Sequence, residues 1–343
     1  MQFLEKDFLE QIYAEIDSNG DVIIEDIAFS PQRILQDDDE AFKSAFAAWC
    51  EIKKQERIQK AEQILSLYDN ADRFEALRAA YRRGAVIPFV GAGLSMPSGY
   101  PGWTEYLYSL REETTVPEAD LAALISRGEY EEAAQLLFDA LPYDSFNEHL
   151  ENKFDAEKPL AGCVRFLPYC FPSSVVTTNF DSVLKRCYDD AEKPFNEVLL
   201  GVEATEFARL MGKGDNILLK FHGKANTARN RILTKQEYDR HYEGNNTLEN
   251  CMDAICQKTL LFMGCSLTAD RTIKCLRKFV SEKGAQSATR HYAFIAVNDD
   301  HDARIARRNE LVEANIFPIW YPADEDHDEC LMALLEKLVE EKA

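Results

Sequence analysis

Four short groups of small, polar and titratable residues are the parts of this chain that could do chemistry. They are Gly91-Ala92-Gly93-Leu94-Ser95, Thr177-Thr178-Asn179-Phe180-Asp181, His222-Gly223 and Gly264-Cys265-Ser266. A histidine titrates near neutral pH and suits a general base. An asparagine side chain both donates and accepts hydrogen bonds, so it can hold a hydroxyl group or a water molecule. Glycines at a turn let the backbone approach a ligand, and N–H groups exposed there suit a phosphate.

Each group also has a structural interpretation. The pattern Gly91-x-Gly93 is equally compatible with an ordinary strand-to-helix turn. A single histidine after a strand, such as His222, is by default a hydrogen-bonding residue of the framework. Asn179 and Asp181 are suitable N-caps for a helix that begins near Ser182. The functional interpretation is favoured only because the four groups are predicted to converge.

That convergence depends on the strands that precede the four groups. Short apolar runs separated by helical patterns predict strands at residues 85–90, 174–178, 216–221, 259–264, 291–297 and 315–320. Strands joined by crossovers form a parallel sheet with helices on both faces. We therefore predict an α/β fold with a Rossmann-like, doubly wound parallel sheet of about six strands. Ligands of such sheets bind beyond the carboxyl ends of the strands, where the four groups lie.

Two parts are predicted along the chain. Residues 1–82 form a mostly helical N-terminal segment, in which the acidic run at residues 37–40 predicts the start of a long helix. Residues 83–343 form the α/β domain, with a helical insertion at 104–170 between its first two strands. The apolar stripes of the first segment are compatible with packing on the domain or with joining subunits. We favour assembly, and hence a homo-oligomer.

Composition limits the function classes. The 343 residues carry a net charge of -21, which gives no strong direct nucleic-acid signal because phosphate backbones require a basic surface. No apolar run is long enough to span a membrane, and the N-terminus lacks the pattern of a signal peptide. The nine cysteines show no C-x-x-C spacing, so we expect free thiols and no metal site. These features predict a cytoplasmic protein.

The four groups, in this order, resemble the motifs of the sirtuin superfamily over roughly residues 84–322. The resemblance implies NAD binding and a catalytic role for Asn179, Asp181 and His222, which match the Asn and Asp of T-Q-N-I-D and the family's histidine. It also implies a set of NAD-binding residues. These are Gly91, Ala92, Gly93, Ser95, Trp103, Thr178, Gly264, Ser266 and Asn298.

The departures from the sirtuin pattern narrow the resemblance. Thr178 replaces the Gln of T-Q-N-I-D, and Trp103-Thr104 replaces a Phe-Arg pair. The four-cysteine zinc module is absent after His222, so no zinc is expected. The chain is similar to the bacterial sirtuin-like NADases of antiphage defence, and most similar to the subunit that pairs with a HerA-type ATPase. That resemblance implies a HerA-type ATPase as partner.

The resemblance implies that NAD is the substrate and that its nicotinamide–ribose bond is hydrolysed through an oxocarbenium-like transition state. Asn179 would hold the ribose and a water, and His222 would accept a proton from that water or from a ribose hydroxyl. Asp181 would orient the loop or bind ribose. Because a free NADase would poison its host, activity is expected to be gated by a partner or by assembly. The alternatives are an NAD-dependent protein deacylase, a non-catalytic NAD or ADP-ribose sensor, and a nuclease within a complex.

Overall fold

The computed structural model describes residues 2–19, 22–24, 27–29, 38–244, 247–267, 271–284 and 287–340. Its centre is a sheet in which every pairing is parallel, with the strand order β5-β6-β4-β3-β7-β8-β9. The strands are β3 (Val86–Val90), β4 (Val175–Thr177), β5 (Glu197–Leu200), β6 (Ile217–Lys220), β7 (Thr259–Met263), β8 (His291–Val297) and β9 (Ile316–Pro322). A separate antiparallel pair joins β1 (Val22–Ile24) to β2 (Ile27–Phe29).

The sheet is buried on both faces, which confirms the doubly wound α/β prediction. Alternate side chains of β3 enter different cores: Val86 and Val90 pack on one face, whereas Ile87 and Phe89 pack on the other. This alternation follows from the two-residue period of a strand. It also explains why buried parallel strands read as continuous apolar runs.

All six predicted strands are present, and the structure adds a seventh, β5. This strand is short, forms one edge of the sheet and pairs only with β6 among the described strands. Glu197 is exposed and only Leu199 is buried, so the segment lacks the continuous apolar run by which the other strands were predicted.

Helices cover the sheet and supply the insertion. Their bounds are Gln2–Asn19, Asp39–Leu65, Asn70–Arg82, Trp103–Arg111, Glu118–Ser126, Tyr130–Asp139, Tyr143–Phe154, Leu167–Cys170, Val183–Asp190, Phe207–Gly212, Lys235–Tyr238, Thr247–Ile255, Arg271–Lys283, His301–Val312 and His327–Val339. A π-helical turn, Asp239–Gly244, directly follows the helix Lys235–Tyr238. The helical insertion predicted at 104–170 is therefore present, and its first helix begins at Trp103.

The predicted long helix of the N-terminal segment begins where its acidic run indicated. Asp38 accepts hydrogen bonds from the N–H groups of Glu40 and Ala41 at 3.1 and 3.0 Å, so it caps the helix Asp39–Leu65. Residue 37 lies outside the described residues. This helix packs on the last helix, His327–Val339.

The next helix, Asn70–Arg82, is joined to the sheet by a buried polar contact. The Asn70 amide donates to the carbonyl of Trp320 at 2.8 Å and accepts from the Trp320 N–H at 2.9 Å. The N-terminal segment therefore contributes to the same core as the α/β domain. Its role in assembly stays a prediction.

The strand order places one topological switch point at β3. The chain leaves β3 for the β4 side of the sheet and later returns to β7 on its other side. In doubly wound sheets, the crevice at such a point is where ligands bind.

Candidate active site

A cavity of about 580 Å³ lies at the carboxyl ends of β3, β4, β6 and β7. Its size is typical of small-molecule sites. The insertion covers it, because residues of the helices Trp103–Arg111 and Tyr130–Asp139 form part of its wall. The wall comprises Phe89, Gly91, Ala92, Gly93, Met96, Gly102, Trp103, Thr104, Glu105, Leu107, Tyr130, Glu131, Thr178, His222, Leu233, Tyr238, Phe262, Gly264, Cys265, Ser266, Leu267 and Thr272.

We call the wall formed by residues 91–93 and 264–266 the glycine side of the cavity. Its two loops interlock through their backbones: Gly91 N–H donates to Met263 O and Gly93 N–H donates to Gly264 O, both at 2.9 Å. A Cβ on Gly93 would lie 2.8 Å from the Gly264 Cα, and one on Gly91 would overlap the Gly264 carbonyl. These glycines are therefore required by loop-to-loop contact, and two of their N–H groups are not available to a phosphate.

Asn179 lies behind the glycine side and is joined to it by hydrogen bonds. Its side-chain amide donates to Gly91 O at 2.9 Å and to Ser95 Oγ at 3.1 Å, and its own N–H donates to Thr177 Oγ1 at 3.0 Å. The Asn179 Oδ1 atom is buried and has no hydrogen-bond partner. Leaving such an acceptor unsatisfied is costly, so it is a position where a ligand hydroxyl or water would be stabilised.

Asp181 hydrogen-bonds to the start of the next helix from the residue before its N-cap, Ser182. Its carboxylate accepts from the N–H of Val183 at 3.0 Å, where the helix Val183–Asp190 begins. Asp181 is only 6% exposed and does not line the cavity.

Lys220 is a buried residue of the site that sequence reasoning missed. Its ammonium group donates to the carbonyls of Phe180, at 2.8 Å, and Asp181. Burial lowers the Lys220 pKa to about 8, although the nearby Asp181 opposes the shift. Lys220 ends β6 and fixes the loop that follows β4, so it positions Asn179 and Asp181 as one unit.

We call the wall formed by His222, Leu233 and Tyr238 the histidine side. His222 is 4% exposed, and burial lowers its pKa to about 3, with a smaller contribution from His241. The imidazole is therefore neutral at physiological pH and carries a lone pair that can accept a proton.

Tyrosine hydroxyl groups flank both ring nitrogens of His222. Tyr238 Oη lies 3.4 Å from Nδ1 and Tyr242 Oη lies 3.5 Å from Nε2. Both distances are at the outer limit of a hydrogen bond, as is common for catalytic contacts without substrate.

A buried ion pair shapes the segment that carries Tyr238. Arg231 donates to Glu237 Oε1 at 3.0 Å, and the other Glu237 oxygen accepts from the N–H groups of Leu233 and Thr234 at 2.8 and 3.0 Å. Thr234 accepts from the N–H of Glu237 in return, which completes a capping box for the helix Lys235–Tyr238.

Arg271 connects this segment to the insertion. Its guanidinium pairs with Glu131 at 2.9 Å and with Asp239, and it lies 5.4 Å from the centre of the Tyr238 ring. Burial raises the Glu131 pKa, and Arg271 opposes that shift. The covering helix and the histidine side are thus held together by charged groups at the cavity wall.

The structure brings most of the predicted site residues to one cavity. Those that line it are Gly91, Ala92, Gly93, Trp103, Thr178, His222, Gly264 and Ser266. Ser95, Asn179 and Asp181 lie behind these residues in hydrogen bonds to the loops. Asn298 is exposed beyond the end of β8, a strand separated from β3 by β7, and does not line the cavity. The structure therefore gives no support to Asn298 as a cofactor contact.

Sequence reasoning also missed Tyr130, Glu131, Tyr238 and Thr272 of the wall. Only Tyr238 follows a recognisable signal, because Thr234-Lys235-Gln236-Glu237 has the pattern of a capping box before a helix. Tyr130 and Glu131 reach the cavity from the predicted insertion, to which no functional role was assigned, and Thr272 reaches it from the helix Arg271–Lys283.

The described residues include no cluster of His, Cys, Asp or Glu able to hold a metal ion. All nine cysteines are free and are buried or half-buried, which confirms the prediction of free thiols. In the described part of the chain, no helix is both long and apolar enough to cross a membrane.

Residues 173–319 match the sequence model of the SIR2-like domain. The matched region contains β4, β5, β6, β7 and β8 and nearly half of the cavity wall, including His222 and Gly264. Gly91-Ala92-Gly93 lies before it, and the structure supplies the link through the interlocked loops. The match supports the resemblance to sirtuins and a Rossmann-like SIR2 fold.

Curated relatives have names that agree with this match. The chain is 28% identical over 224 residues to the NAD(+) hydrolase ThsA of Cytobacillus dafuensis, which covers 64% of this chain and 42% of that protein. It is 25% identical over 195 residues to the Enterococcus faecium protein of the same name, covering 55% and 38%. It is 24% identical over 228 residues to the defense-associated sirtuin 2 of Bacillus subtilis, covering 65% and 22%. The chain spans less than half the length of each of these relatives.

Proposed function

We propose that this protein hydrolyses NAD at the nicotinamide–ribose bond, giving nicotinamide and ADP-ribose, and that it depletes NAD in antiphage defence. The observation that carries the proposal is the meeting of a buried, neutral His222 with two interlocked glycine loops in one cavity at the switch point. The relatives named NAD(+) hydrolase and defense-associated sirtuin support the same activity and context.

The charges of the cavity suit the nicotinamide end of NAD. Glu105 and Glu131 belong to its wall, but Glu131 is already paired with Arg271 at 2.9 Å, so the carboxylate that a bound cation would meet is that of Glu105. A cationic nicotinamide ring is stabilised by such surroundings. Arg307 donates to the carbonyl of Ser266 at 2.5 Å and also pairs with Glu310 at 2.9 Å, so its guanidinium group lies beside the glycine side, where it suits the pyrophosphate.

The residues of the cavity have distinct roles in this reaction. His222 accepts a proton from the attacking water or from a ribose hydroxyl. Asn179 lies behind the wall, where it holds the glycine side by donating to Gly91 O and offers its buried, unpartnered Oδ1 to a water. Lys220 and Asp181 keep the Asn179 loop in place. Fixing water and ribose in this way lowers the entropic part of the barrier.

The experiment follows NAD loss, with nicotinamide and ADP-ribose separated by chromatography, for the wild type and for Asn179→Ala. The matched control is Asn226→Ala, because Asn226 is an exposed asparagine outside the cavity whose amide donates to Asp155 at 3.0 Å and accepts from Thr227 Oγ1 at 3.1 Å. Loss of NAD in the wild type and the control, but not in Asn179→Ala, supports the hydrolase.

Two other results would overturn the proposal. NAD that stays bound and intact under every condition indicates a sensor, and consumption only with an acyl-lysine peptide indicates a deacylase.

We further propose that a homo-oligomer or a HerA-type ATPase controls activity, and the same NAD assay tests this gating. Equal activity of the isolated monomer and of the assembled protein would contradict gating.

A further inference from the structure

The tyrosines beside His222 differ in their relation to the cavity. Tyr238 belongs to its wall together with His222. Tyr242 is 5% exposed and is absent from that wall, so it lies on the buried side of the ring. Nδ1 of His222 therefore faces the tyrosine of the cavity, and Nε2 faces the tyrosine of the interior.

A neutral imidazole carries one N–H group and one lone pair, and the partner of one nitrogen decides the state of the other. A base that acts on a substrate in this cavity needs its lone pair on the nitrogen of the cavity side. That nitrogen is Nδ1, so the proton must reside on Nε2, where the Tyr242 oxygen lies within reach as an acceptor.

We infer that Tyr242 is a positioning residue that holds the proton of His222 on Nε2 and thereby keeps the Nδ1 lone pair directed at the cavity. This role rests on the proposed function only for its effect on turnover, since the tautomer is a property of the protein without substrate. Tyr238 completes the arrangement from the other side: its hydroxyl donates to Nδ1 until a substrate hydroxyl or water replaces it.

The surroundings fix both tyrosines relative to the ring. Their rings stack with centres 5.7 Å apart and planes 23° from parallel, and the Tyr238 ring meets His222 edge-on at 5.2 Å. Tyr242 also lies in the π-helical turn Asp239–Gly244. This conformation is rare in proteins, and where it occurs it is often at a functional site. A regular helix would place residue 242 differently relative to residue 238.

The first measurement is the tautomer of His222 by ¹⁵N NMR of histidine-labelled protein without substrate. The chain has six histidines, and loss of one ring signal in His222→Ala assigns the signal of interest. We expect the wild type to carry its proton on Nε2. In Tyr242→Phe, which keeps the stacked ring, we expect the signal to move toward the Nδ1–H form.

The second measurement separates kcat from KM for NAD. Tyr242→Phe should lower kcat about tenfold with little change in KM, because it alters the base and not the cavity wall. Tyr238→Phe should change mainly KM and should leave the Nε2–H tautomer in place. The control is Tyr188→Phe, which removes a buried hydroxyl that donates to Phe171 O at 2.6 Å, away from the cavity. It should leave the tautomer, kcat and KM at wild-type values.

Two results would overturn the inference. One is a wild-type His222 with its proton on Nδ1, which needs no variant and so does not depend on the folding of Tyr242→Phe. The other is a folded Tyr242→Phe whose tautomer and kcat match the wild type. If the wild type consumes no NAD, the proposed function fails, whereas the tautomer measurement still decides the role of Tyr242.

Discussion

The two sides of the cavity are built in different ways. The glycine side consists of two backbone loops in direct contact, with hydrogen bonds of 2.9 Å and no room for a Cβ at Gly91, Gly93 or Gly264. The histidine side consists of side chains, in which His222 touches two tyrosines at 3.4 and 3.5 Å. The glycine side therefore gives the cavity its shape, whereas the histidine side gives it a titratable group whose contacts can adjust.

The largest effect is expected at the histidine side, in chemistry and not in folding. His222→Ala removes the proposed base, so NAD turnover should fall about 10²–10⁴-fold while thermal unfolding stays cooperative. The control is His301→Ala, since His301 has a 74% exposed side chain outside the cavity. Near-normal turnover of a folded His222→Ala protein would show that the histidine side does not supply the base.

Substitutions in the glycine side should lower the stability of the protein. Gly264 has φ of +64°, and a Cβ there would meet Leu94 Cδ1 at 2.5 Å and Leu94 N at 2.7 Å. Gly264→Ala should therefore lower the free energy of unfolding by about 3 kcal/mol or more, measured by urea denaturation.

Gly84→Ala is the matched control for that change. Gly84 has nearly the same φ, +63°, but a Cβ there would meet no atom within 4 Å. It should lose only the cost of the left-handed backbone, about 1–2 kcal/mol. Equal losses in the two variants would mean that the interlocked loops are not tight, and the contrast between the two sides would fail.

The pH dependence of turnover tests the burial of the histidine side. With its pKa lowered to about 3, His222 is neutral throughout the range from pH 7 down to pH 5.5, in which Lys220, with a pKa of about 8, stays protonated. The base stays active above its pKa and is lost only when pH falls through it, so kcat/KM should vary by less than about twofold in this range. A histidine with its ordinary pKa would lose about tenfold by pH 5.5, and that profile would show that His222 is solvated in the working enzyme.

The smallest effect on stability is expected at Asp181. Two variants of this residue distinguish its hydrogen bond to the helix start from a part in the reaction. Asp181→Ala removes the acceptor for the Val183 N–H and should cost about 1 kcal/mol of stability. Asp181→Asn keeps an oxygen in that position and should recover most of the loss in a thermal unfolding experiment. A recovery of stability without recovery of NAD turnover would show that the negative charge of Asp181 is needed, either in the reaction or beside the Lys220 ammonium group whose pKa it raises.

Much of the fold could be predicted because its signals are local. The runs at 85–90 and 259–264 are apolar enough to be buried strands, and Asp38 marks a helix start by its own side chain. Glycines directly after such runs indicate where the chain must turn. The edge strand β5 escaped prediction because its exposed and buried residues do not form a continuous apolar run.

The candidate site was predictable only in part, because its residues are brought together over long sequence distances. Nothing around Lys220 in the sequence shows that its ammonium group reaches the carbonyls of Phe180 and Asp181. Asn298 follows a predicted strand like the other polar groups, yet it is exposed at the end of β8, one strand beyond β7, and does not line the cavity. Strand order decides both outcomes, and strand order is not a local property.

Local sequence is enough to place six of the seven strands, the glycine turns after them and a histidine and an asparagine at strand ends, since each depends on neighbouring residues alone. The contacts, burial and pKa values of these residues depend on the tertiary structure. It locked Gly91 against Gly264, joined Asp181 to a helix start, buried His222 until its pKa fell to about 3 and placed Tyr238 and Tyr242 on its two nitrogens. The physical reason is that burial and hydrogen-bond partners come from segments far apart in the chain, which meet only when the sheet is assembled.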